Sequence, residues 1–171
     1  MNKTKNYSIT KSGAVILEGG ANRGVFTAGA LDFLMEQEYY IPHVIGVSAG
    51  ACNALDYVSG QIGRTRDCMI VTEKKNRYIN RNIKEIVEKK GLLDMDMVFD
   101  RYPNEVFPFD FEAYFRSPQT CEMVVTNCET GRAEYLDDRT SRERLMAIGR
   151  ASSSMPIACP MVEIDGKPYL D

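Results

Sequence analysis

Apolar residues in this chain fall into short, separated runs, and the spacing of each run predicts an element. Gly13-Ala14-Val15-Ile16-Leu17 is continuously apolar and predicts a buried first strand. A glycine-rich break follows, and then Val25 to Met35 predicts a helix. A second β-branched run, Val44-Ile45, feeds Gly46-Val47-Ser48-Ala49-Gly50, with the small residues Ala51-Cys52-Asn53-Ala54 directly after it. That order predicts a strand, a sharp turn and a helix. Further on, Cys121 to Asn127 predicts another buried strand, turned by Thr130-Gly131 into Arg132 to Leu136. Ser141 is placed to cap a helix running through Ile148. Met161 to Ile164 and Lys167 to Leu170 flank Asp165-Gly166, a strong two-residue hairpin signal, and the second strand leads to Asp171. Strands interleaved with helices predict an α/β fold with a mostly parallel central sheet and helices on both faces.

The middle of the chain has a different texture. Residues 61–90 are charged and helix-compatible, predicting two surface helices with solvated charges and Gly91 as a stop. From Leu92 to Phe115 the aromatic density exceeds what a connecting loop needs, which predicts either packing against the core or a cover over the site. Residues 1–12 read as a polar lead-in.

Composition narrows the function classes. At 171 residues and 44% hydrophobic, the expectation is a single domain with a sizeable core. A net charge of −3 carries no basic surplus, so neither nucleic acid nor electrostatic docking on anionic lipid is expected. Any membrane-surface contact is expected to be apolar and transient. No apolar run reaches the length of a signal core or a spanning helix, and the expected location is cytoplasmic. Five cysteines, with no Cys-x-x-Cys pair and one His in the chain, fit reduced thiols better than disulfides or a zinc site. No metal or cofactor is expected.

The chemistry concentrates at Ser48. In a nucleophile elbow the serine sits in a strained turn that lifts its hydroxyl clear of the chain, and the residues two before and two after must be very small. Here both are glycine, Gly46 and Gly50. The helix that follows points its N-terminal amides towards a developing oxyanion. A plain βα turn with a chance serine is the competing explanation. The flanking strand and small-residue helix favour the catalytic one.

The loop after the first strand, Gly19-Gly20-Ala21-Asn22-Arg23-Gly24, presents backbone amides to something negative. A dinucleotide fingerprint needs Gly where Ala21 stands, and a phosphate-binding P-loop needs Lys and Ser or Thr where Val25 and Phe26 stand. Both nucleotide explanations fail at the residues that would touch phosphate. An oxyanion hole built from these amides remains, beside the simpler option of a tight turn.

With these pieces in order, the sequence resembles the patatin-like phospholipases. The match comprises Glu18-Gly19-Gly20-Ala21-Asn22-Arg23-Gly24, then Gly46-Val47-Ser48-Ala49-Gly50, then Ala151-Ser152-Ser153-Ser154-Met155-Pro156 for the family's Ala-Ser-x-x-x-Pro. The family's fourth motif, Asp-Gly-Gly or Asp-Gly-Ala, is represented by Asp171 alone, so the resemblance implies a chain incomplete at its C-terminus and weak in activity as it stands. It also implies a three-layer α/β sandwich, a Ser48–Asp171 dyad and lipid acyl esters as substrates, with a phospholipid or lysophospholipid foremost. A small-ester or thioester hydrolase on the same dyad, and a lipid- or anion-binding module without catalysis, are the alternatives.

His43 is an unsuitable base: five residues before Ser48 on an extended strand, it lies ~16 Å away. Within these residues the base is then a carboxylate, Lys or Cys. Asp165 reads as a turn residue, and Asp137 and Asp138 as solvated loop residues.

Overall fold

The computed structural model describes residues 9, 12–89 and 91–171; the polar lead-in expected over residues 1–12 lies mostly outside them. Six strands, β1 (Ala14–Leu17), β2 (His43–Val47), β3 (Thr120–Asn127), β4 (Arg132–Leu136), β5 (Val162–Ile164) and β6 (Lys167–Leu170), form one open mixed sheet. β1, β2 and β3 are parallel, whereas β4 and β6 each pair antiparallel with β3 and β5 pairs antiparallel with β6. Among the described residues six α-helices accompany them: α1 (Gly24–Glu36), α2 (Ala49–Ser59), α3 (Arg64–Met69), α4 (Ile83–Glu88), α5 (Phe111–Arg116) and α6 (Arg142–Ser152). The α/β architecture anticipated from the interleaved runs is present.

Register decides where the strand ends meet. Along β3, β2 pairs with residues 120–124 and β4 with residues 123–127. Two strands paired with Met123 and Val124 at once must occupy opposite edges of β3. β6 pairs at Thr126 and Asn127, positions where β4 holds one edge, so β6 lies on the edge used by β2. β2 and β6 therefore run towards each other along one side of β3. Val47 stands opposite Val124 and Leu170 opposite Thr126, so the residues following each strand end, Ser48 and Asp171, share the single level of Val125.

The core lies where α2 and α6 cover one sheet face. Val44, Cys121, Met123 and Val125 are buried there against Ala51, Leu55, Tyr57, Val58, Leu145 and Ile148. The alternate strand positions, such as Ile45, Glu122, Val124 and Thr126, are half-buried. β1 departs from the expected buried strand: among the described residues it pairs only with β2, and Ile16 is 76% exposed. An uninterrupted apolar run does not distinguish a central strand from an edge strand.

In the middle segment the two expected helices are present as α3 and α4, the latter capped by Asn82, with a single 3₁₀ turn at Lys74–Asn76 between them, but not every charge is solvated. Arg64 is not solvated: it turns inwards to Asp56. The aromatic stretch contains a wide helix, Met97–Val106, with Phe107 N–H bonding five residues back to Tyr102 O at 2.8 Å. It continues into α5, whose cap Asp110 accepts from Ala113 N–H. Phe109, Phe111 and Tyr114 are in the core. Asp137 and Asp138 are a further correction. Asp137 accepts from the Tyr114 hydroxyl at 2.7 Å and pairs with Arg139, and Asp138 accepts from Ser141 N–H and pairs with Arg144. The Asp165-Gly166 turn is as expected, with φ of 52° and 76°.

Candidate active site

Ser48 terminates β2 and opens α2 with φ 57° and ψ −122°, a conformation that an L-residue adopts only when its surroundings impose it. The surroundings are close-packed. A β-carbon on Gly50 would lie 2.1 Å from the carbonyl oxygen of Leu17 at the end of β1, and one on Gly46 would lie 2.4 Å from the carbonyl oxygen of Gly50. No side chain fits at either place, because the obstruction is backbone.

The glycine-rich loop passes beside the serine. A β-carbon on Gly19 would sit 3.0 Å from Ser48 Cβ and 3.7 Å from its Oγ. Gly20 has φ 138° and lies under the Arg23 guanidinium. Ala21 takes φ 49°, a position for which glycine is the unstrained choice. Asn22 Oδ1 accepts a hydrogen bond from Tyr78 Oη at 2.8 Å. Gly24 starts α1 against Ala49, and Asn53 Nδ2 joins the two by donating to the carbonyls of Gly24 (3.2 Å) and Ala49 (2.9 Å).

A cavity of about 390 Å³ opens onto Ser48. Ala21, Asn22 and Ala49 line it with the serine, and Leu55, Val98, Phe99, Phe109 and Met146 supply much of its apolar wall. Arg23 and Gly24 are not part of that wall. One charged pair is: Arg64 Nη1 meets Asp56 Oδ1 at 2.8 Å, Thr65 Oγ1 donates to Asp56 Oδ2 at 2.6 Å, and the Arg64 guanidinium lies 5.1 Å from the Phe109 ring centre. Burial pushes the Asp56 carboxyl up, with Arg64 and Thr65 opposing it. Cys52, one turn after Ser48, has its thiol pushed up to about 11, first by burial and then by Asp56, which makes it a poor nucleophile. A larger cavity of about 640 Å³ lies on the far side of Phe99 and Met146, without contact to Ser48.

Asp171 meets Ser48 at the shared level of β3. Its N–H donates to Ser154 O at 2.9 Å, and burial raises its carboxyl above the ordinary carboxylate range while a hydrogen bond with the Ser48 side chain pulls it down. His43 is at the other end of β2, with Nε2 2.7 Å from Glu122 Oε2.

Two residues that the sequence analysis left without a role complete the arrangement. Ser152 is fully buried, and its Oγ accepts from Ser48 N–H at 2.9 Å. Ser153 Oγ approaches Ser48 O at 3.5 Å and lines the cavity. With Ser154 holding Asp171, three consecutive residues at the end of α6 touch both strand ends. The Ala-Ser-x-x-x-Pro spacing was the available signal; the partners could not be read from it.

Residues 15–171 match the family described as Patatin-like phospholipase. The chain belongs to the patatin-like phospholipase family. A curated relative, the uncharacterized protein YjjU of Escherichia coli (strain K12), is 26% identical over 163 residues, covering 92% of this chain and 44% of YjjU. Among solved structures, VipD from Legionella pneumophila aligns with a TM-score of 0.48 at 13% identity, over 94% of this chain and 45% of VipD. This patatin-like chain thus spans less than half the length of either protein. No helix among the described residues is long and apolar enough to cross a membrane.

Proposed function

We propose that this patatin-like chain forms one α/β domain that hydrolyses lipid acyl esters, of the phospholipase A or lysophospholipase type, through Ser48 and Asp171. The observation that carries this reading is the meeting of the two residues at one level of β3, where an apolar cavity reaches the serine. The acyl chain occupies the cavity and its carbonyl carbon lies over Ser48 Oγ. Asp171 takes the hydroxyl proton as Oγ attacks, and returns it to the departing alcohol as the carbon–oxygen ester bond breaks. Water then repeats the exchange on the acyl-serine, releasing a fatty acid.

A carboxylate is a weak base towards a serine, so the oxyanion must be well stabilised. The amides of the Gly19–Gly24 loop and the first turn of α2 are the donors in this scheme. The raised Asp171 supports it, since a stronger base accepts the proton more readily. All five cysteines are free, which supports a reducing, cytoplasmic setting.

The test is a fluorophosphonate probe together with an acyl-ester series from short to long chains. Labelling of the parent but not of Ser48→Ala, with turnover lost in Asp171→Asn, is the expected result. An unlabelled parent, or equal turnover in either variant, overturns the assignment.

A further inference from the structure

The segment from Ile79 to Leu93 is a built hairpin. Ile79 and Leu93 form an antiparallel bridge, Asn80 N–H donates to Leu92 O at 2.9 Å, and Asn80 Nδ2 donates to Gly91 O at 2.8 Å. At its tip α4 presents Ile83 and Val87, 81% and 71% exposed, four residues apart and hence on one face. At its base Ile79 and Leu92 line the cavity that reaches Ser48. Leu92 N–H also bonds Ala158 O at 2.7 Å, which holds the neighbouring Ile157 beside the hairpin. Ile157 is fully exposed and has φ 70°, a costly conformation for a β-branched residue.

Charge separates along the same line. Residues 73–89 hold six Lys or Arg and three Glu, a surplus of three positive charges in a chain whose net charge is −3. The remainder therefore carries −6. The whole-chain balance, which argued against anionic lipid, conceals a basic segment around an apolar tip, the composition of an element that lies on a lipid interface.

We propose that this hairpin, with Ile157, is the face that seats the cavity mouth on an anionic lipid surface. The proposal rests on the acyl-hydrolase reading for what is delivered there, but the docking itself needs no chemistry.

The test measures binding of the Ser48→Ala chain to phosphatidylcholine vesicles with and without phosphatidylglycerol. Binding is expected on the anionic vesicles and should weaken with added salt. Ile83→Asp with Val87→Asp should reduce it at least tenfold, and Lys84→Ala about fivefold, at ~1 kcal/mol per cation. In the Ser48 background, both variants should keep the parent's turnover of a monomeric short-chain ester. Binding unchanged by the variants, absent from anionic vesicles, or equal on both vesicle types overturns the proposal. So does a dimer of the parent that the Ile83→Asp, Val87→Asp chain cannot form, because the face would then belong to a second copy. Vesicle binding that follows the variants, with no ester hydrolysed by the parent, sustains the docking face and sinks the catalytic reading.

Discussion

Ser152 Oγ accepts the backbone N–H of Ser48 at 2.9 Å, across 104 residues of chain and in a fully buried position. The bond fixes the peptide that sets the elbow's strained φ, so on the proposed chemistry Ser152 is a positioning residue for Ser48. Ser152→Ala leaves that N–H without its partner and should cost about 1–3 kcal/mol of stability. Turnover should fall with KM little changed, because the acyl cavity is untouched. Thermal unfolding and steady-state kinetics check this; unaltered kcat would remove Ser152 from the site.

Strain at Ser48 makes a second prediction. Glycine adopts φ 57° and ψ −122° without the β-carbon penalty, whereas alanine does not. Ser48→Gly and Ser48→Ala should both be inactive, but Ser48→Gly should melt higher, with backbone relief of about 1–3 kcal/mol partly offset by the entropy of glycine. Equal melting temperatures would mean that the elbow stores no strain.

A third concerns pH. Burial holds the Asp171 pKa above the ordinary ~3.9, and base catalysis needs the ionised form, so the acid limb of the rate profile should lie above that value. The stability effect has the opposite direction. A folded pKa above the unfolded one stabilises at low pH, and that contribution is lost as pH rises through the folded value. Asp171→Asn should therefore melt above the parent near neutrality and converge with it in acid. Denaturation across pH decides; a parent that gains on the variant as pH rises would contradict the burial.

His43→Gln should retain most of the turnover, and no limb of the profile should belong to a histidine. The ring is engaged with Glu122 at the far end of β2. A hundredfold loss in a folded variant, the scale expected for a general base, would place the base elsewhere.

The fifth prediction is a double-mutant cycle. Asp56 and Arg64 form a pair whose side chains are 4% and 15% exposed. Arg64→Met alone strands a buried carboxylate and should cost about 3–5 kcal/mol, while Asp56→Leu with Arg64→Met should recover much of it. Additive losses in chemical denaturation would show that the pair is uncoupled.

How far these features were legible depends on the range of their causes. The elbow was readable because its demand is compact: Gly46 is dictated by backbone four and five residues on, and Gly50 by the end of one neighbouring strand. The hairpin at Asp165-Gly166 and the cap at Ser141 were readable for the same reason. Arg64 was not, because a cation within a charged run looks solvated until α2 brings Asp56 to it. Ile16 was misjudged because edge position is a property of the sheet, not of the run. Asp171 was reachable through resemblance alone. Its place opposite Val125 follows from three strand pairings that no local pattern encodes.

The shared edge of β3 also orders events in time. During synthesis the elbow serine emerges 123 residues ahead of Asp171, and the strand that carries the aspartate docks on β3 through only two paired positions. Ser48 and Asp171 therefore come together only once β6 has paired in the space left beyond β2. On the proposed dyad, a chain that has not yet placed β6 holds the serine without its base.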